Sequence, residues 1–238
     1  MHHLLCVVMV LVNGFIQYKT HNDLWKEIFM NLSTVKMLDD LINNHKQLDC
    51  VKEIINDAVE ALIKCYSAGG KVLTCGNGGS ASDALHIVGE LMKGFALKRP
   101  LLPNERIFSE EINEGLQRTL PAISLVSETA LITAYINDVS AELVYAQQVF
   151  GYGNSGDILI ALSTSGNSKN ILYAAEVAKV KKIKVISLTG KDGGKIKSLS
   201  DITICVPEIE TFKVQELHLP IYHALCLAVE NEFFGDVG

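Results

Sequence analysis

A chain of 238 residues, 48% hydrophobic and 20% charged, has the length for one α/β domain with a sizeable core and some appendages. A net charge of −6 with no basic run argues against nucleic acid as a direct partner. The cysteines at 6, 50, 65, 75, 205 and 226 show no C-x-x-C spacing, and several lie in apolar runs. That pattern reads as reduced packing residues of a cytoplasmic protein, and it excludes a zinc knuckle or disulfide framework.

Leu4 to Val12 is an apolar run too short to span a bilayer, and no small-residue cleavage site follows it. Residues 1–22 are therefore expected to form an extension outside the fold, with residues 23–238 as one domain and no membrane contact. Residues 23–44 and 48–67 carry apolar side chains at helical spacing, and Gly69-Gly70 ends the second stretch.

Residues 71–75 then read as a short buried strand, running into Gly76-Asn77-Gly78-Gly79-Ser80 and a helix over 82–93 capped by Ser80 or Ser82. A glycine loop entering a helix N-terminus suits an anion, because free N–H groups and the positive dipole end converge there. Taken alone the loop is equally a structural turn. It also fits the loose dinucleotide pattern G-x-G-x-x-A, but no acid follows at the required distance, and no Gly-Lys-Ser/Thr marks an ATP loop. His86 and Glu90, four apart, share a helix face as a base or metal-ligand pair.

Residues 94–119 are polar and mixed, with a short helix predicted over 110–118, and read as a lid, an interface loop or a solvated insertion. Strands follow at 120–125, 157–162, 184–188 and 202–206. Between them come helices over 128–136 and 141–150, split by Asn137-Asp138, and a helix reaching Ala178. A final helix covers 213–233. Short β-rich runs alternating with helices predict a mostly parallel five-stranded sheet covered on both faces, with ligands beyond the carboxyl ends of the strands. Ser163-Thr164-Ser165-Gly166-Asn167-Ser168 is a second loop at such an end, with four hydroxyls in six residues. Two loops of this kind point to a phosphorylated ligand.

The two loops, with Leu188-Thr189-Gly190-Lys191-Asp192-Gly193-Gly194 after them, resemble the sugar isomerase (SIS) domain family, most closely its phosphoheptose isomerase branch. The resemblance covers about residues 23–234. It implies a flavodoxin- or Rossmann-like α/β sandwich with N-terminal helices, assembled as a homotetramer with shared active sites. It implies a phosphate held by Ser80, Ser163, Thr164, Ser165 and Ser168, with Asn77, Gly78 and Gly79 lining a phosphorylated sugar. Asn137-Asp138 matches the family's substrate pair. His86, Glu90, Gln215 and His223 match its metal-ligand positions, typically for one zinc ion per subunit. Gln215 and His223, eight apart, lie within a quadrant of one another on a regular helix.

The activity implied is ketose–aldose isomerisation of sedoheptulose 7-phosphate to D-glycero-D-manno-heptose 7-phosphate through an enediol. Glu90 would be the base, and His223 the acid or proton shuttle. The chain departs from the family pattern at Ala81-Ser82, at Phe212 where an acidic substrate contact is often found, at Pro220 inside the last helix, and in the longer 94–119 segment. The rival class is a non-catalytic SIS protein that senses phosphosugars or binds the bacterial replication initiator. A dinucleotide enzyme is a distant third.

Overall fold

The protein is described from a computed structural model, which covers the backbone of residues 7–12 and 15–20 and all of residues 30–235. At the N-terminus β1 (Val7–Val12) pairs antiparallel with β2 (Phe15–Thr20) in a two-stranded sheet of their own. The helical periodicity expected from residue 23 lies partly outside the described residues. Its described part is α1 (Leu32–Asn44), followed by a 3₁₀ turn and α2 (Lys52–Ser67).

The main sheet is five-stranded and wholly parallel. Its strands are β3 (Val72–Cys75), β4 (Ala122–Ser124), β5 (Ile158–Leu162), β6 (Lys184–Thr189) and β7 (Ile202–Cys205), in the order β4-β3-β5-β6-β7. Between them run α3 (Gly79–Met92), α4 (Glu110–Gly115), α5 (Thr129–Asp138), α6 (Val144–Tyr152) and α7 (Lys169–Val180). The chain ends in α8 (Thr211–Phe234).

Every residue of β5 is buried, as a strand covered on both faces requires. Its side chains alternate between two cores. Ile158, Ile160 and Leu162 join α1, α2, α3 and α8 on one face, while Leu159 and Ala161 join α6 and α7 on the other. Pro220 lies inside α8 without ending it.

One buried carboxylate locks the first face. Glu230 on α8 accepts the backbone N–H groups of Phe95 (2.7 Å), Ala96 (2.7 Å) and Leu97 (3.1 Å), together with Arg99 Nε (2.8 Å). Arg99, 1% exposed, also donates to the carbonyls of Leu91 (2.7 Å) and Glu90 (3.2 Å). Those carbonyls belong to the last turn of α3 and have no helical donor of their own. Residues 94–119 thus begin as a pinned, buried connector. They close on themselves, where Arg118 N donates to Arg99 O and Pro100 bridges Gln117. A lid hinged at residue 94 does not fit that anchoring.

A second buried polar group, His218 of α8, is fully buried and sets its Nε2 at 3.3 Å from the Thr189 carbonyl at the end of β6, with Nδ1 unpartnered. Burial pulls the imidazole down from 6.5 to about 4. The folded protein therefore keeps the ring neutral where the unfolded chain protonates it. The stabilisation is full above pH 6.5 and is lost as the pH falls toward 4.

Two outcomes follow. Glu230→Ala strands Arg99 as a buried unpaired cation and is expected to cost about 3–5 kcal/mol in urea unfolding. The wild-type protein is expected to lose about 2 kcal/mol between pH 7 and pH 5 through His218, and His218→Gln to flatten that slope by the same amount.

Candidate active site

The chain passes from β3 to β4 on one side of the sheet, then returns to place β5 on the other. The carboxyl ends of β3 and β5 therefore flank a topological switch point, where ligands enter open α/β sheets. The two loops singled out from the sequence sit side by side there. Gly78 takes φ +58° and forms the N-cap of α3, which leaves Ser80 buried in the first helical turn instead of capping it. The turn is set by glycine geometry and not by a serine hydroxyl, because no side chain caps α3.

Asn77 and Asn170 exchange two amide hydrogen bonds, each 2.9 Å, across the gap between the loops. Tyr145 on α6 steadies the same place by donating to the Gly76 carbonyl at 2.8 Å. In the second loop Ser163 Oγ lies 3.3 Å from Ser168 Oγ, and Ser165 Oγ accepts from Asn167 N at 3.2 Å. Gly166 (φ +63°) lies against Gly193, so closely that a Cβ there would strike the Gly193 carbonyl. Thr164 accepts from Gly190 N at 2.9 Å. The third glycine-rich stretch thus braces the serine loop from behind.

One helical turn and more from this cradle, α3 and α8 bring His86, Glu90 and His223 together. The His86 and His223 rings meet edge to face with centroids 4.9 Å apart. His86 Nε2 lies 3.1 Å from Glu90 Oε1, and Lys93 Nζ donates to Glu90 Oε2 at 2.9 Å. Burial raises the Glu90 carboxyl, but the hydrogen bonds and charges of Lys93 and His86 outweigh it and leave it below its ordinary value. His223 is lowered by burial and by the His86 charge, against the pull of Glu90. Its Nε2 is buried without a partner.

Gln215 is placed elsewhere. Its amide packs on Gly79, where an added Cβ would come within 2.7 Å of Nε2. Eight residues of helix separate its backbone from that of His223 by about 12 Å along the axis, so the two could share a ligand only with their side chains extended toward each other. Asn137 and Asp138 end α5, bonded to each other at 2.8 Å and exposed, with no hydrogen bond to either loop among the described residues.

Two imidazoles and a carboxylate suit zinc, and the orphaned His223 nitrogen fits a ligand role. As they stand, no group of three or more His, Cys, Asp or Glu among the described residues is arranged to hold a metal ion. His86 Nε2 is engaged with Glu90.

The sequence reading missed Asn170, Tyr145, Tyr222, Asp83 and Lys93. Asp83 stands three residues before His86 on α3, and Lys93, just past the end of α3, three after Glu90, a spacing that marks each as a neighbour. Asn170 lies 93 residues from its partner and carries no such signal.

The SIS domain family model matches residues 43–190. The chain belongs to the SIS domain family, in its phosphoheptose isomerase branch. It is 41% identical to the phosphoheptose isomerase of Helicobacter pylori strain P12 over 206 residues, 83% of this chain and 98% of that one. It is 43% identical to that of Methylibium petroleiphilum over 185 residues, 76% of this chain and 84% of that one. Among solved structures, phosphoheptose isomerase GmhA from Neisseria gonorrhoeae matches with a TM-score of 0.65 and 31% identity, covering 84% of this chain and 94% of that one. A phosphoheptose isomerase from Francisella tularensis gives the same TM-score at 33% identity, with 84% and 93% covered.

The Asn77–Asn170 bridge carries a direct expectation. Asn170→Ala should speed hydrogen exchange at the amides of residues 77–80 while leaving the global unfolding midpoint nearly unchanged, because the bridge is exposed and local. Unchanged exchange would show that the glycine turn holds without the bridge.

Proposed function

We propose that the protein is a ketose–aldose isomerase that converts sedoheptulose 7-phosphate to D-glycero-D-manno-heptose 7-phosphate. The observation that carries the reading is the convergence of two anion-suited loops at the switch point with His86, Glu90 and His223 on adjoining helices. The names of relatives about 40% identical over most of the chain support it.

In this reading the phosphate lies on the backbone N–H groups at the start of α3 and on the hydroxyls of Ser163, Thr164, Ser165 and Ser168, with Ser80 beneath. Asn77, Gly78, Gly79 and Gln215 line the sugar, and Asn137 and Asp138 contact its far end. Glu90 removes the proton from C1 of the ketose and returns one to C2. Lys93 and His86 keep it ionised for that task. His223 moves protons at the carbonyl and hydroxyl oxygens.

One zinc ion per chain would be held by His86, Glu90 and His223, with the Gln215 amide oxygen as a fourth ligand, and when bound it supplies Lewis-acid polarisation of those oxygens. Large apolar side chains left exposed, among them Leu85, Phe108, Phe150 and Phe212, are what a homotetramer would cover. Free cysteines at 50, 65, 75, 205 and 226 suit the cytoplasm, and no described helix is long and apolar enough to cross a membrane.

Glu90→Gln keeps size and hydrogen bonding but accepts no proton. It is expected to lower kcat by about 10²–10⁴-fold, with sugar-phosphate affinity by calorimetry little changed. Wild-type binding without turnover would instead mark a phosphosugar sensor.

A further inference from the structure

We propose that Asn77 is a site of spontaneous deamidation, restrained by its amide bridge to Asn170. The chemistry is a property of the turn and is independent of the ligand that the site takes. Asn77-Gly78 is one of two Asn-Gly pairs in the sequence, the other being Asn13-Gly14. In such a pair the glycine nitrogen gives up its proton to solvent and attacks the asparagine Cγ. A bond forms between Gly78 N and Asn77 Cγ, the Cγ–Nδ2 bond breaks, and the amide nitrogen takes a proton from solvent and leaves as ammonia. Water then opens the succinimide at either carbonyl and leaves aspartate or isoaspartate at position 77. The sum is one water taken up and one ammonia released, with nothing oxidised or reduced.

The turn favours the attack in four ways. The Asn77 side chain is exposed to the water that the reaction consumes. Among the described residues Gly78 N–H donates to no group, so no hydrogen bond is lost when it deprotonates. Gly78 has open space where a side chain would stand, which leaves its nitrogen unshielded. Gly78 is also the N-cap of α3, and the positive end of a helix stabilises negative charge on the attacking nitrogen and on the tetrahedral oxygen that follows.

The bridge opposes it. Asn77 Nδ2 donates to Asn170 Oδ1, and Asn170 Nδ2 donates to Asn77 Oδ1, each at 2.9 Å. Turning both amides over exchanges donors and acceptors and leaves the same pair, so the restraint holds in either orientation. Attack makes Cγ tetrahedral and destroys the flat amide that both hydrogen bonds need. They therefore stabilise the reactant and not the transition state, which raises the barrier. Tyr145 Oη adds a longer contact, 3.4 Å, to the same Asn77 oxygen. The product places a carboxylate beside the start of α3, where the sugar-phosphate reading seats an anion.

The test is peptide mapping by mass spectrometry of the full-length, ligand-free protein, kept warm in mildly alkaline buffer and sampled over time. Conversion at residue 77 is read from the mass gained when NH₂ becomes OH, and conversion at Asn13 in the same samples serves as the clock. Wild type is compared with Asn170→Ala and Asn170→Leu, each first shown to be folded by circular dichroism. Both variants remove the bridge, and leucine keeps the bulk of the lost side chain. Conversion at 77, relative to that at 13, is expected to rise about tenfold in both variants, the factor that two net hydrogen bonds control. A rise in Asn170→Ala alone would assign the restraint to bulk and overturns the proposal. Equal ratios in wild type and both variants overturn it, as does an intact Asn77 in folded variants whose Asn13 has converted.

Discussion

The architecture of the site depends on the carboxylate of Glu230. The helix α3 carries His86 and Glu90, and α8 carries His223. Two helices packed only through aliphatic contacts could slide past each other at small cost, because dispersion is not directional. Glu230 removes that freedom. It holds three consecutive N–H groups of the connector that leaves α3 and the guanidinium of Arg99, which in turn caps the last turn of α3. All of these groups are donors converging on one acceptor, so none of the buried charge is left without a partner. The register of α3 against α8, and with it the meeting of the two imidazoles, follows from this network.

The sheet contributes the other half of the site. A parallel sheet with order β4-β3-β5-β6-β7 reverses its direction of growth once, between β3 and β5, and the loops leaving those strands diverge around a gap. Glycines at 78 and 166 permit the positive φ angles that both turns need. The Asn77–Asn170 bridge keeps the turns at a fixed separation, and the stretch from Gly190 to Gly194 supports the second from beneath. The result is a cradle for an anion at one end of α3 and a cluster of titratable groups further along the same helix. A substrate with a phosphate at one end and a reacting carbonyl several carbons away matches that separation.

Much of this was legible in the sequence because parallel strands buried on both faces read as short continuous apolar runs. The runs at 71–75, 157–162, 184–188 and 202–206 became the strands Val72–Cys75, Ile158–Leu162, Lys184–Thr189 and Ile202–Cys205. The strand expected at 120–125 is shorter, Ala122–Ser124, at one edge of the sheet. The two loops and the His86–Glu90 pair were visible as local spacing. What was not legible is long-range and polar. Residues 94–119 read as a lid, an interface loop or a solvated insertion because they are polar and mixed, and hydropathy does not reveal that the charge of Arg99 is buried against Glu230. Gln215 and His223 looked like a pair because angular position is local, but the contacts of the Gln215 amide with Gly79 and of the His223 ring with His86 are long-range and carry no sequence signal. Tyr222 carried no signal, since nothing near it in sequence names Asp83 as its partner.

The central claim is that one chain both holds a sugar phosphate at the switch point and moves a proton between its first two carbons. The most direct measurement is incubation of the purified protein with sedoheptulose 7-phosphate in D₂O, followed by ¹H and ¹³C NMR. The account predicts the appearance of an aldoheptose 7-phosphate carrying deuterium at C2, delivered by a base that exchanges with solvent. A sugar phosphate that binds to the protein yet shows neither aldose nor deuterium at C1 or C2 would contradict it.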